Sequence, residues 1–179
     1  MSELMLKGRR ALVTGSVQGI GLAIAQALGR QGCAVVLHGL ATPAQVQEAR
    51  AAVLEAGAPS ADVLTHDLRI ASQVQRMMET VLASPLDILV NNAGIQHTAS
   101  LAEMPRAKWD EILAVNLSAA FDTMRLALPP YGRARLRPCR QHRLGSRLGS
   151  LHQQGAVRGG QVRADRHEPG GRARIRQPG

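Results

Sequence analysis

The chain has 179 residues and a formal charge of +9, from 22 Lys or Arg against 13 Asp or Glu. That length holds one ordinary domain, or one domain and a tail. Such a charge ordinarily suggests nucleic acid or an anionic membrane, but its distribution excludes a basic folded surface: residues 1–130 carry 10 basic and 11 acidic side chains, a net of −1, whereas residues 131–179 carry 12 Arg, no Lys and 2 acids, a net of +10.

Two regions follow: a domain over residues 1–130 and an Arg/Gly-rich tail over 131–179, whose low apolar content and high charge predict disorder. No run reaches the roughly 18 apolar residues of a membrane span. The start "MSELMLKGRRALVTG" has no long apolar stretch of a signal peptide. The expected setting is cytoplasmic, away from membranes, with Cys33 and Cys139 as reduced thiols.

In chain order, "RRALVTG" is a short apolar, β-branched run ending in Gly, which predicts a buried strand. "IGLAIAQALGRQG" has helical spacing, with Gly32 closing it. "CAVVLHG" predicts a second strand, and "TPAQVQEARAAVLEAG" a second helix with Thr42 as N-cap and Pro43 at its first position. "ADVLTHDL" reads as strand, "ASQVQRMMETVLAS" as helix and "PLDILVNNAG" as a fourth strand. "RAKWDEILAVNLSAAFDTMRLALPP" reads as one long helix ending at the proline pair. The alternation predicts parallel βαβ units with right-handed crossovers: a Rossmann-like, doubly wound α/β sheet, cut short after about four strands.

"TGSVQGIG", Thr14 to Gly21, lies between the first strand and the first helix. There Gly15 permits a tight turn, Gly19 a close approach of pyrophosphate, and Gly21 close helix–sheet packing. The helix N-terminus offers free N–H groups and partial positive charge to phosphate. Taken alone, such a glycine pattern also fits a turn without a ligand.

The ordered set TGxxxGIG, Asp67-Leu68, "NNAG" at 91–94 and Asn116 in "VNLS" resembles the short-chain dehydrogenase/reductase family over residues 6–130. The resemblance implies an oxidoreductase with a nicotinamide dinucleotide cofactor held by Gly15, Ser16, Gln18, Gly19, Ile20, Gly21, Leu40, Asp67, Leu68, Asn91, Ala93 and Gly94. Asp67 would hold the adenine amino group, and Asn116 a water of the proton relay. "VVLHGL" and "NNAGIQH" are similar to the 3-hydroxybutyrate dehydrogenases within the family, which use NAD. That implies NAD, with Gln96 on the carboxylate of a small hydroxy acid; His97 reads as a loop residue. The charges after the second strand leave NADP open, for "LHGLAT" has neither an acid for a ribose hydroxyl nor an Arg for a 2′-phosphate. The family is homotetrameric through the helix around Asn116 and a successor that this chain lacks, so the same assembly is not expected here.

The family also needs a Tyr for proton transfer, a Lys four residues later to lower its pKa, and a Ser thirteen residues before it. After Pro130 the only Tyr is Tyr131, and there is no Lys. A one-base slip in the reading frame accounts for this. Shifted codons for Arg140 onward permit "VNIASAHGLV", and those for Gln154–Gln161 permit "KAPYVAAK". The slipped frame sets serine at Leu144, tyrosine at Val157 and lysine at Gln161, at the family's own intervals of thirteen and four. The expectation is an inactive remnant of an NAD-dependent enzyme. Two alternatives stand beside it: a non-catalytic dinucleotide-binding module, and a polyanion binder through the Arg-rich tail. Nucleic acid is disfavoured, because no aromatic residue follows Tyr131 to stack on bases.

Overall fold

The computed structural model describes residues 4–133, with side chains through residue 128. Strand β1 (Arg10–Val13) is fully apolar from Ala11 onward, and Ala11, Leu12 and Val13 are all inaccessible to solvent. A strand without alternation belongs in a sheet covered on both faces, and β1 sits inside one. The other strands are β2 (Ala34–His38), β3 (Ala61–Leu64) and β4 (Ile88–Val90). They run parallel in the order β3-β2-β1-β4.

Helices α1 (Gly19–Arg30), α2 (Pro43–Glu55) and α3 (Ala71–Leu82) make the crossovers. Leu12, Val36 and Leu89 point to one face of the sheet, where they meet Val74, Met77, Met78 and Val81 of α3. Val13, Val35, Leu37 and Val90 point to the other, against Ala25 of α1 and Val53 of α2. This two-sided burial is the doubly wound architecture that the strand–helix alternation predicts. Thr42 caps α2 as expected: its hydroxyl accepts the Gln45 N–H, and the Gln45 side chain accepts the Thr42 N–H. Gly32 follows the end of α1 with φ +80°, one residue beyond the cap position itself.

The last helical segment departs from the single helix read in the sequence. It comprises α4 (Arg106–Leu113), a π-helical turn over Ala114–Ser118, and α5 (Ala119–Arg133). Periodicity does not reveal a wide turn, which inserts one residue and leaves both flanking helices regular. Nor does α5 stop at Pro129-Pro130, since the pair lies within its bounds. A proline's fixed φ suits a helix; what it forfeits is one N–H bond and room beside the carbonyl four residues back. The first three residues of the expected tail continue α5 rather than begin a disordered segment, and the rest of it, Cys139 included, lies outside the described residues. Cys33 is a free thiol within the core, and burial pushes its pKa up to about 11.

Leu12 lies on a central strand with no exposed surface. Leu12→Ala is expected to lower unfolding stability by about 2–5 kcal/mol, as removal of a buried leucine does. Urea denaturation followed by circular dichroism measures it; a loss below about 1 kcal/mol would mean the core is not packed as described.

Candidate functional site

The chain leaves β1 in a turn that has to cross the end of the sheet before α1 begins. Gly15 adopts φ +63°, and a Cβ there would come within 2.7 Å of the Ala93 Cα. Gly21 is equally constrained by packing, because a Cβ would strike the Gly15 carbonyl. Gly19 (φ +58°) differs: nothing lies within 4 Å of where its Cβ would be. Two glycines thus let backbones touch, and one leaves open space in front of a helix start.

The segment after β4 is stitched to this turn. The Thr14 hydroxyl accepts the N–H groups of Asn92 and Ala93, both at 3.1 Å. The Asn92 amide donates to the carbonyls of Thr14 at 3.0 Å and Gly15 at 2.8 Å. The strand order reverses direction between β1 and β4, so the stitch lies at a topological switch point, where open α/β sheets bind ligands.

Above it is an open groove of about 730 Å³ along the carboxyl ends of the strands. Of the residues singled out in the sequence, Gly15, Gln18, Gly19, Ile20, Gly21, Leu40, Asp67, Leu68, Ala93, Gly94 and Gln96 line it. Three do not. Ser16 is fully buried; its hydroxyl donates to the Val13 carbonyl at 2.7 Å and accepts the His38 N–H at 3.0 Å, bracing the turn against β2. The Asn91 amide oxygen accepts the Thr123 hydroxyl at 2.9 Å, on the side of α5. Asn116, in the π-helical turn, pairs with both backbone groups of Ile95, taking its N–H and donating to its carbonyl at 2.9 Å each. It positions the loop that carries Gln96.

Sequence reasoning missed His38, His66, Arg69, Lys108 and Glu111, which also line the groove. The Arg69 guanidinium grips the Asp67 carboxylate, Nη2 to Oδ2 at 2.6 Å, and this bond holds that carboxyl below the usual carboxylate range. Lys108 pairs with Glu111 at 2.9 Å. An Asp-x-Arg spacing was the one available signal for the first pair. The His38 ring is buried and bonded through Nε2 to the His66 carbonyl at 2.8 Å, and its Nδ1 has no partner. Burial lowers its pKa, with the nearby His66 ring adding to this against the opposing effects of that carbonyl and Asp67.

The fold and groove together define a Rossmann-like, doubly wound α/β protein with an open groove at its switch point. The chain belongs to the short chain dehydrogenase family, whose model matches residues 9–135. It is 44% identical over 129 residues to D-beta-hydroxybutyrate dehydrogenase of Cupriavidus necator, a match covering 70% of this chain and 48% of that protein. The enzyme of the same name from Rhizobium meliloti is 42% identical over 126 residues, with 68% and 48% covered. Among solved structures, 3-oxoacyl (acyl-carrier-protein) reductase from Agrobacterium tumefaciens C58, with NADP bound, superposes with TM-score 0.66 at 38% identity, over 72% of this chain and 49% of that one. An NADH-dependent reductase complexed with NAD gives TM-score 0.68 at 28% identity, over 74% and 56%. The chain spans about half the length of the curated relatives it matches. No helix among the described residues is long and apolar enough to cross a membrane.

Thr14→Val would leave two N–H groups without their acceptor. The expected cost is roughly 2–4 kcal/mol, while Thr14→Ser, which keeps the hydroxyl, costs less than half as much; denaturant titration of both variants separates them. His38 gives a pH signature. Its folded pKa lies below the unfolded value, so its contribution is complete above about pH 6.5 and is lost as pH falls from there toward the folded pKa. Stability measured downward from pH 7 is expected to fall in that window, and the fall should be smaller in His38→Asn.

Proposed function

We propose that residues 1–130 are the dinucleotide-binding part of an NAD-dependent dehydrogenase acting on 3-hydroxybutyrate, in a chain that does not itself turn over substrate. The observation that carries the reading is the convergence of the glycine turn, the Asp67 loop and the NNAG segment on one groove at the switch point. The residues fit the cofactor. The open space in front of Gly19 and the start of α1 suit a pyrophosphate, and Asp67 suits the adenine amino group.

The charges favour NAD. Among the described residues, the arginine and lysine side chains that line the groove are each already paired, Arg69 with Asp67 and Lys108 with Glu111. Burial lowers the pKa of His38, at the end of β2, which disfavours a charged ring there. A ribose 2′-phosphate would bring a further negative charge to a groove whose Lys and Arg side chains are both engaged.

When bound, the cofactor accepts or gives a hydride; the chain's residues bind and orient. Gln96 on the loop held by Asn116 takes the hydroxy-acid carboxylate, which the relatives named for D-beta-hydroxybutyrate support. Asn116 takes part, as in the family, in holding a water. Proton transfer is what this chain lacks. The positions that a restored frame gives to serine, tyrosine and lysine are held by Leu144, Val157 and Gln161, outside the described residues. The frame slip is supported by the composition change after Pro130 and by those intervals. The exposed stripe Trp109, Leu113, Leu117 and Phe121 is the part of the family's assembly face that remains, without the following helix that completes it.

Calorimetric titration of the purified chain is expected to show NAD binding and NADP binding weaker by about tenfold or more, a difference of roughly 1.4 kcal/mol. The same preparation given NAD and D-3-hydroxybutyrate should form no NADH above a heat-killed control. Equal affinity for the two cofactors would remove the NAD assignment, and turnover would remove the inactivity.

A further inference from the structure

A second pocket, of about 400 Å³, lies at the β3 edge of the sheet and shares no lining residue with the groove. Val36, Leu64 and Val81, from the core beneath α3, give it an aliphatic floor. Arg10, Arg50 and Asp62 line it as well.

Each arginine is anchored through one nitrogen. Arg10 Nη1 donates to the carbonyls of Val81 and Ser84 at the end of α3. Arg50 Nε donates to the Ala61 carbonyl at 3.0 Å. A guanidinium is a fork of several N–H donors, and both Arg50 Nη groups and Arg10 Nη2 have no partner among the described residues. Arg9, Arg69, Arg106 and Arg125 each hold a carboxylate. Arg10 and Arg50 hold none, although Asp62 lines the same pocket.

The edge is guarded against another strand. The Val35 N–H bonds to the Ser60 carbonyl, which turns the next carbonyl, that of Ala61, to the outer side, where Arg50 takes it. A planar fork beside aliphatic surface suits a carboxylate with a hydrocarbon body. Two arginines against one aspartate leave the pocket one positive charge. A monoanion balances it, whereas a dianion would also meet repulsion from Asp62.

We propose that this pocket binds a small aliphatic monocarboxylate, its head on Arg50 and Arg10 and its chain on Val36, Leu64 and Val81. The site stands apart from the dinucleotide reading and does not depend on it.

The test is a residue-resolved NMR titration of the full chain with hexanoate, which separates the pocket from the arginines after Pro130. Saturable amide shifts are expected at Asp62, Val63 and Leu64, with Kd on the order of 1 mM, while Gly15 and Gly94 in the groove stay unshifted. Hexanol, of the same chain length and without charge, should bind about tenfold or more weakly. Inorganic phosphate should give no saturable shift at these residues. Arg50→Gln should weaken hexanoate about fivefold or more, and Arg50→Lys should recover part of the loss. Asp62→Asn, at an exposed position, should hold hexanoate at least as tightly and admit phosphate. Thermal melts accompany each variant; should Arg50→Gln lower the melting temperature, the hexanol comparison and Asp62→Asn decide. Hexanol or phosphate binding as tightly as hexanoate overturns the inference. So do shifts confined to the groove, a folded Arg50→Gln chain with unchanged affinity, or an Asp62→Asn chain that loses hexanoate.

Discussion

The Thr14 hydroxyl and the Asn92 amide join two segments 78 residues apart in the chain, through four hydrogen bonds across the end of the sheet. Sheet hydrogen bonding ends where β1 and β4 diverge, so something else has to hold the two loops beyond it. Thr14 is buried, where an unpaired polar group is costly, and each of its partners is a backbone or amide group with few alternatives. The crowding of Gly15 against Ala93 and of Gly21 against Gly15 follows from this stitch. Larger residues at those glycines would separate the loops and open the groove's floor.

The same constraint propagates into the helical segment after β4. Asn116 pairs with both backbone groups of Ile95, and Thr123 bonds to Asn91, so the loop and the helix are tied at two points. The inward face carries Val115, Ala119, Thr123 and Ala127, spaced by four and small enough to lie close to the sheet. Leu113, Leu117 and Phe121 face outward. Size, more than polarity, decides which side meets the core here. Packing near β4 sets that choice, and a helix packed so closely has little freedom to shift Asn116.

Local pattern carried most of the fold. Unbroken apolar runs marked strands with both faces covered, and Thr42 with Gln45 announced the start of α2. The glycine spacing located the floor of the groove because glycine there answers a steric demand, one that acts within a few residues of sequence. Other features depend on partners far away. Ser16 stands inside the glycine motif yet turns inward, since a bond to β2, 22 residues on, competes for its hydroxyl. The π-helical turn leaves no mark on periodicity, because its effect is to offset two regular helices. Arg69 escaped notice for a different reason: an exposed arginine beside an acid is ordinary, and only the groove gives the pair meaning.

On the reading proposed above, binding and chemistry divide along this chain. Its lysine and arginine side chains are neutralised by neighbouring acids, which leaves the N–H groups at the start of α1 to meet anionic ligand groups. Backbone donors of that kind need glycines around them and little else, so a domain with a net charge of −1 can still offer an anion site. A proton transfer cannot be arranged in this way. It needs a side chain whose pKa is brought toward neutrality by a nearby cation, at a fixed distance from the reacting carbon. The twelve arginines after Pro130 supply abundant charge, but a guanidinium keeps its proton throughout the physiological range. Arginine can therefore raise the positive potential near a site and still not replace a phenol and an amine acting together.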